Sequence, residues 1–237
     1  MRRSLDLTLA LLFPLAASAQ LSVSAGVGGG TFRMEQLRQY AKDLQVVTPV
    51  ATKTFGNYGP YIGYEASVMY NWTDQHQLGA SGGFISTGSL TTRTDYSGSI
   101  NYRHTVSAKM IAIQYDWVIP RKGKLTVAPS VRVGALFTKY RFQYEIRLND
   151  GESPPAQDLQ FNATSLMVSP GLVFRYRLTD ALIASADLRY LVDLKDELCY
   201  DQDESVRLVD SQNQPTSPDW SGLRGTLSIA YLFKFKG

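Results

Sequence analysis

The chain has 237 residues, with 24 Lys and Arg against 21 Asp and Glu, 44% apolar residues and one cysteine, Cys199. Its near-neutral balance lacks the basic footprint of a nucleic-acid binder, and a lone cysteine excludes an internally disulfide-stapled secreted domain. The length suits one domain, because β-barrels hold roughly 200–250 residues in a single unit.

The chain opens on a basic segment containing Arg2 and Arg3, followed by a short apolar run from Leu7 to Ala17 that contains Pro14. Ala17, Ser18 and Ala19 fit a small-x-small cleavage pattern, so residues 1–19 are expected to be a secretory signal and 20–237 the mature domain. Without Arg2, Arg3 and Asp6 the charged residues number 22 basic and 20 acidic. The mature chain contains no stretch apolar enough for a membrane helix, so a membrane location would require a closed barrel, whose backbone groups pair between strands.

From Leu21 onward the apolar residues recur with a period of two, the signature of strands. Leu21 to Phe32 alternates Leu21, Val23, Ala25 and Val27 with serines and glycines. Gly26, Gly28, Gly29 and Gly30 precede no helix directly, so they are expected in a close-packed wall and not in a phosphate loop. Tyr58 to Trp72 places Ile62, Tyr64, Ala66, Val68 and Tyr70 against Gly63, Glu65, Ser67 and Asn71. Gln77 to Leu90 is glycine-rich, and Leu166 to Leu178 and Leu182 to Leu194 alternate cleanly. Short polar turns at Thr73 to His76, Arg121 to Lys124 and Thr179 to Asp180 are balanced by outer connections at Arg33 to Asn57, Thr94 to Ser97, Asn149 to Leu159 and Asp201 to Ser221. Leu37, Tyr40, Ala41 and Leu44 stand at helical spacing in the first of these, and either a short amphipathic helix or a solvated loop is open there. Two strands change parity, one between Val106 and Ile111 and one between Phe137 and Tyr140, which predicts bulges near Met110 and Thr138.

The closing stretch from Gly222 to Gly237 has Leu223, Leu227, Ile229, Tyr231, Phe233 and Phe235 on one file and Arg224, Thr226, Ser228 and Lys234 on the other. It resembles the C-terminal strand of bacterial outer-membrane barrels, and the chain from Gln20 onward is similar to small eight-stranded barrels, the OmpA-like membrane domain and the PorT-like outer-membrane proteins. The expected fold is all-β: an eight-stranded, antiparallel, up-and-down transmembrane barrel with long extracellular loops and short periplasmic turns. Tyr70, Trp72, Tyr115, Trp117, Tyr176, Phe233 and Phe235 gather near the periplasmic strand ends, as an interfacial girdle would. The resemblance implies a Gram-negative outer-membrane address, outer-membrane lipid and lipopolysaccharide as surroundings, and the barrel-assembly machinery as reader of the last strand. Its PorT-like side implies a link to secretion. Alternation alone is equally compatible with a soluble, lipocalin-like barrel whose apolar file faces inward.

Counting from the periplasmic turns puts Glu65, Arg132, Asp187 and Arg189 at similar heights on lumen faces, a charge network expected to fill a narrow interior. Asp116, Arg175 and Arg177 form a candidate lower cluster. His104, with Ser99 or Ser107 nearby in sequence, could serve acyl transfer on lipid, but it fits a lone surface histidine better; His76 falls in a turn. Asp196, Glu197, Asp201, Asp203, Glu204, Asp210 and Asp219 read as a solvated acidic loop, since the glycine and distal glutamate of a calcium loop are missing. No cofactor, metal or nucleic acid is expected. The expected role is non-enzymatic, structural or binding, through outer loops that contact an extracellular or envelope partner; a lipid-modifying enzyme and a narrow solute channel are the alternatives.

Overall fold

A computed structural model describes residues 20–47, 53–55, 58–96, 98–119, 123–149 and 153–234. The expected leader and its cleavage site, and Phe235 of the aromatic girdle, lie outside the described residues. In chain order the elements are β1 (Gln20–Gly30), α1 (Glu35–Val47), β2 (Lys53–Phe55), β3 (Tyr61–Asn71), β4 (His76–Asp95), β5 (Gly98–Trp117), β6 (Leu125–Leu148), β7 (Gln157–Arg177), β8 (Leu182–Leu194), β9 (Cys199–Tyr200), β10 (Asp203–Arg207) and β11 (Gly222–Lys234).

Eight of the strands, β1, β3 to β8 and β11, each pair antiparallel with the next, and β11 returns to pair with β1 along its whole length. The ring is therefore closed and has no free edge inside the wall. Following register partners once around it runs Gln20, Asn71, Gln77, Asp116, Ser130, Gly171, Arg189 and Arg224, and returns to β1 at Gly30. The path comes back ten residues from its start, which is the stagger of the barrel. Ten residues at about 3.3 Å, set against eight strand spacings of about 4.7 Å, incline the strands by roughly 40°.

The period-two files resolve into an outside and an inside. On β11, Leu223, Leu227, Ile229, Tyr231 and Phe233 are exposed, while Arg224, Ala230 and Leu232 are buried. The same outward belt continues through Ile62 and Tyr64, Ile111 and Ile113, Val133, Leu166 and Leu172, and Leu188 and Val192. A lipocalin-like arrangement, apolar side inward, is thereby overturned. The stretch from Leu166 to Leu178, twelve steps along the inclined strand, covers about 30 Å of height, the thickness of a hydrocarbon core. At the lower margin Trp72, Tyr115, Trp117, Tyr176 and Phe233 stand exposed as a girdle.

The wall is uneven. β4, β5, β6 and β7 run 20, 20, 24 and 21 residues, against 11, 11, 13 and 13 for β1, β3, β8 and β11. Half of the barrel thus rises well above the belt. The expected bulges at Met110 and Thr138 are absent: β5 pairs without a break with β4 and β6, and β6 likewise with β7. What changes there is the surroundings. Below this level the outward side chains meet lipid and the inward ones are mostly polar; above it Lys109, Lys139 and Arg141 point outward to water, and Val106, Met110, Leu136 and Tyr140 point inward to an apolar core. Apolar residues change parity because the strand leaves the membrane while keeping its register.

That core is supplied from the low side. The helical option for the first outer loop is realised as α1, with Leu37 and Ala41 buried against Val106, Leu136, Tyr140, Leu198, Leu208 and Trp220. Leu227→Arg, near mid-belt on the lipid face, is expected to cost about 2–4 kcal/mol in denaturant unfolding of the reconstituted barrel, whereas Asn162→Arg, above the belt, should cost less than about 1 kcal/mol.

Candidate functional site in the lumen and outer mouth

The lumen is crossed by a single hydrogen-bonded charge network anchored on Arg132 of β6. Arg132 pairs with Glu65 of β3 and Asp187 of β8, its Nη2 lying 3.3 Å from Asp187 Oδ2, and its Nε donates to Gln114 Oε1 at 2.8 Å. Asp187 also accepts from Arg189 Nε at 2.5 Å, and Glu65 accepts from Thr226 Oγ1 of β11 at 3.0 Å. The structure thus brings Glu65, Arg132, Asp187 and Arg189 into one cluster. Gln114 links this tier to a lower one, donating to Asp116 at 2.9 and 3.1 Å, and Asp116 is paired with Arg175 and bonded by Ser130. Arg177, expected beside them, is exposed at the periplasmic end. A charge buried alone is costly, so reciprocal pairing of these groups is what the narrow interior demands.

Gln114, Ser130 and Thr226 were not singled out from sequence, and neither was Arg224. Arg224 sits directly opposite Arg189 across β8 and β11, with its guanidinium 5.3 Å from the Tyr61 ring centre. All four lie on inward-facing positions, but which of them meet depends on the stagger of ten, which alternation does not reveal.

Open space in the lumen tapers upward. A cavity of about 240 Å3 at the periplasmic end, lined in part by Asp74, Lys124, Arg175 and Arg177, adjoins one of about 50 Å3 that reaches Arg132 and Asp187. Beyond the network, among the described residues, a cavity of about 20 Å3, space for roughly one water, lies beside Glu65, Arg224 and Tyr61.

Above this the outer mouth is filled. Trp220 is fully buried, with its ring centre 5.7 Å from that of Phe32 and 6.2 Å from that of Tyr61, and its Nε1 donates to Thr138 Oγ1 at 2.9 Å. Asp193 at the top of β8 accepts from the Trp220 backbone N–H at 3.1 Å and from Ser165 Oγ, while the Asp193 N–H donates to Ser221 Oγ at 3.0 Å. The helix is tied to the same loop, since Ser217 N and Oγ donate to Gln36 Oε1 at 2.8 and 2.7 Å and Met34 N donates to the Asp219 carbonyl at 3.2 Å. Asp219, expected in a solvated acidic loop, is buried instead and pairs with Lys195 at 2.8 Å. Elsewhere in that loop Asp203 and Asp210 accept backbone N–H groups of their own turns. Among the described residues no three His, Cys, Asp or Glu side chains are placed to hold a metal ion.

His104 is not the surface histidine its position suggests. It stands five residues beyond Lys109, a rise of roughly 12 Å above that lysine, and is 1% exposed on the inward face. Its Nδ1 lies 2.7 Å from Tyr140 Oη, and its ring packs against Phe142 at 5.0 Å. Ser99 and Ser107 are at outward positions, so neither forms a nucleophile–base pair with it. Burial lowers the His104 pKa to about 4. His76, in its turn, shares a 2.7 Å hydrogen bond with Tyr115 Oη.

A closed ring with an outward lipid-facing belt and a polar interior is a small integral membrane barrel, and barrels of this even-stranded, short-turned plan belong to the outer membrane of Gram-negative bacteria. The chain is similar over 91% of its length to 99% of the attachment invasion locus protein Ail of Yersinia pestis, at 15% identity and a TM-score of 0.42. It is similar over 91% of its length to all of a major outer membrane protein of Thermus thermophilus (14% identity, TM-score 0.47), and over 92% to 98% of the outer membrane protein OprG of Pseudomonas aeruginosa (10%, 0.46). No protein-family model matches the chain, and no curated protein matches it.

Two measurements probe these sites. Arg132→Met should lower barrel stability by about 3 kcal/mol, because Glu65 and Asp187 lose their shared cation, and adding Glu65→Gln should recover part of it in equilibrium unfolding. His104 remains neutral in the folded protein but gains a proton in the unfolded chain below about pH 6.5. Its contribution is therefore complete above pH 6.5 and is lost as pH falls toward 4, by up to about 3 kcal/mol. Wild type should lose this stability relative to His104→Gln when both are unfolded at pH 7 and pH 4.5.

Proposed function

We propose that this protein is a non-conducting, non-catalytic barrel whose role is structural or binding, performed by the surface it raises above the outer membrane. The observation that carries this reading is the filled mouth: Trp220, Phe32, Leu37 and Tyr140 close the interior above a network already bridged by Arg132. A solute pathway needs a continuous wet lumen, and the cavity found beyond Arg132 among the described residues holds about 20 Å3. The burial of His104 against Tyr140 supports the non-catalytic half, because acyl transfer on a leaflet lipid needs a nucleophile and base at the lipid-facing wall.

The exposed part best suited to contact an extracellular or envelope partner is the tall β4–β7 wall, ending in the hairpin tip where Tyr96 is 93% exposed. The PorT-like resemblance of the strand pattern points to secretion as one setting, and assembly into the membrane would proceed through recognition of the last strand.

Planar-bilayer recording of the purified protein should show an unbroken baseline, and incubation with phospholipid and lipid A should leave their acyl chains unchanged by mass spectrometry. Discrete conductance steps of reproducible size would refute the closed lumen, and acyl loss dependent on His104 would refute the absence of catalysis.

A further inference from the structure

The tier of the lumen around Arg132 carries more positive charge than negative. Arg132, Arg189 and Arg224 are all buried there, and the carboxylates in contact with this group are Glu65 and Asp187, which leaves one cation in excess. Arg189 and Arg224 are register partners on β8 and β11, 4% and 9% exposed, and like charges directly opposite each other in a sheet repel. The next carboxylate upward, Asp193, attracts Arg224 without contacting it, because its oxygens accept from Ser165 Oγ and the Trp220 N–H.

Arg224 is the member of the group left over. Its Nη1 lies 3.7 Å from Met110 Sδ, and its buried Nε and Nη2 have no hydrogen-bond partner among the described residues. The side chain lines the cavity of about 20 Å3 above the network, together with Tyr61, Glu65, Met110 and Thr226. The buried hydroxyl of Tyr61 is likewise without a partner among the described residues. Glu65, the one carboxylate on this cavity, is compensated by its pairing with Arg132 and by the bond from Thr226 Oγ1.

A water in this cavity accepts from such donors but leaves the excess charge uncompensated, and an unpaired buried charge costs far more than an unpaired buried dipole. The space suits a single atom of about water size and excludes a phosphate or sulfate. We propose that Arg224, with the Tyr61 hydroxyl, holds a monovalent anion of halide size, chloride in ordinary salt, as the counter-charge of the Arg132 tier. Bridged below by Arg132 and filled above by Trp220 and Phe32, the site is loaded as the ring closes, and the ion is a structural ligand of the folded barrel.

The test uses the full-length protein refolded into detergent micelles in sodium bromide, crystallised, and measured by anomalous diffraction at the bromine edge. Wild type should show bromine density in contact with the Arg224 guanidinium and Tyr61 Oη. In equilibrium urea unfolding, with ionic strength held constant by sodium gluconate, its folded-to-unfolded ratio should rise about tenfold for each tenfold increase in bromide once the site is saturated. Arg224→Met should abolish this dependence. Tyr61→Phe, which keeps the cation and loses one donor, should move its onset to roughly tenfold higher bromide. Bromine density only elsewhere, or equal stability in bromide and gluconate, would overturn the site and assign the cavity to water. Undiminished bromide dependence in Arg224→Met would also overturn it, as would an unmoved onset in Tyr61→Phe, which decides the matter if Arg224→Met does not fold.

Discussion

Backbone pairing within lipid is the constraint on which this structure depends. Inside a hydrocarbon layer every unpaired N–H and C=O costs several kcal/mol, so a chain without a long apolar helix can cross only as a closed ring of strands. Closure requires β1 to find β11, and the stagger of ten residues at that seam fixes the inclination and therefore the bore. Glycines at the seam make the approach feasible: a Cβ on Gly28 would lie 2.5 Å from the Gly225 carbonyl oxygen and 2.6 Å from Thr226 Oγ1. The bore so defined is too narrow for hydrated charges, which is why Glu65, Arg132, Asp187 and Asp116 are found in reciprocal contact and not facing open water.

The second organising fact is that one strand can serve two solvents. In β5 and β6 the same register carries Ile111, Ile113 and Val133 facing lipid, and Lys109, Lys139 and Arg141 facing water, while the inner face turns from Gln114, Asp116 and Arg132 to Val106, Leu136 and Tyr140. The upper half is in effect an ordinary soluble β-barrel with an apolar interior, built directly on top of an inverted one. Trp220 and α1 belong to the upper half, and they are what makes the interior dry there.

This division explains what could be read from the residues alone. Leu182–Leu194 has the same limits in sequence and structure because Thr179 and Asp180 precede it and charged Lys195 and Asp196 follow. The spacing of Leu37, Tyr40 and Ala41 is open to either a helix or a solvated loop, and that a helix forms and fills the barrel mouth depends on contacts with residues nearly the whole chain away. Alternation predicts bulges at Met110 and Thr138 that do not form, because it records a change of polarity and is silent about its cause. The parity of His104, shared with the apolar residues of its strand, reads as outward for the same reason, whereas above the belt that parity points inward. Within the lumen, Arg132 and Asp187 are visible as charges on polar files, whereas Gln114, Thr226 and Arg224 are ordinary polar residues until the stagger specifies their neighbours.

The seam has a consequence for how the molecule assembles. Phe32, Met34 and Leu37 follow the first strand, and Trp220 precedes the last, yet they share one core. That core can form only once the two ends of the chain have met, so ring closure and capping of the mouth are coupled across nearly the full sequence separation. Contacts of such long range are slow to form, because the entropy of joining distant segments is lost before any burial compensates. In the folded ring every hairpin is paired on both sides, so none can peel away from this wall without breaking two ladders at once.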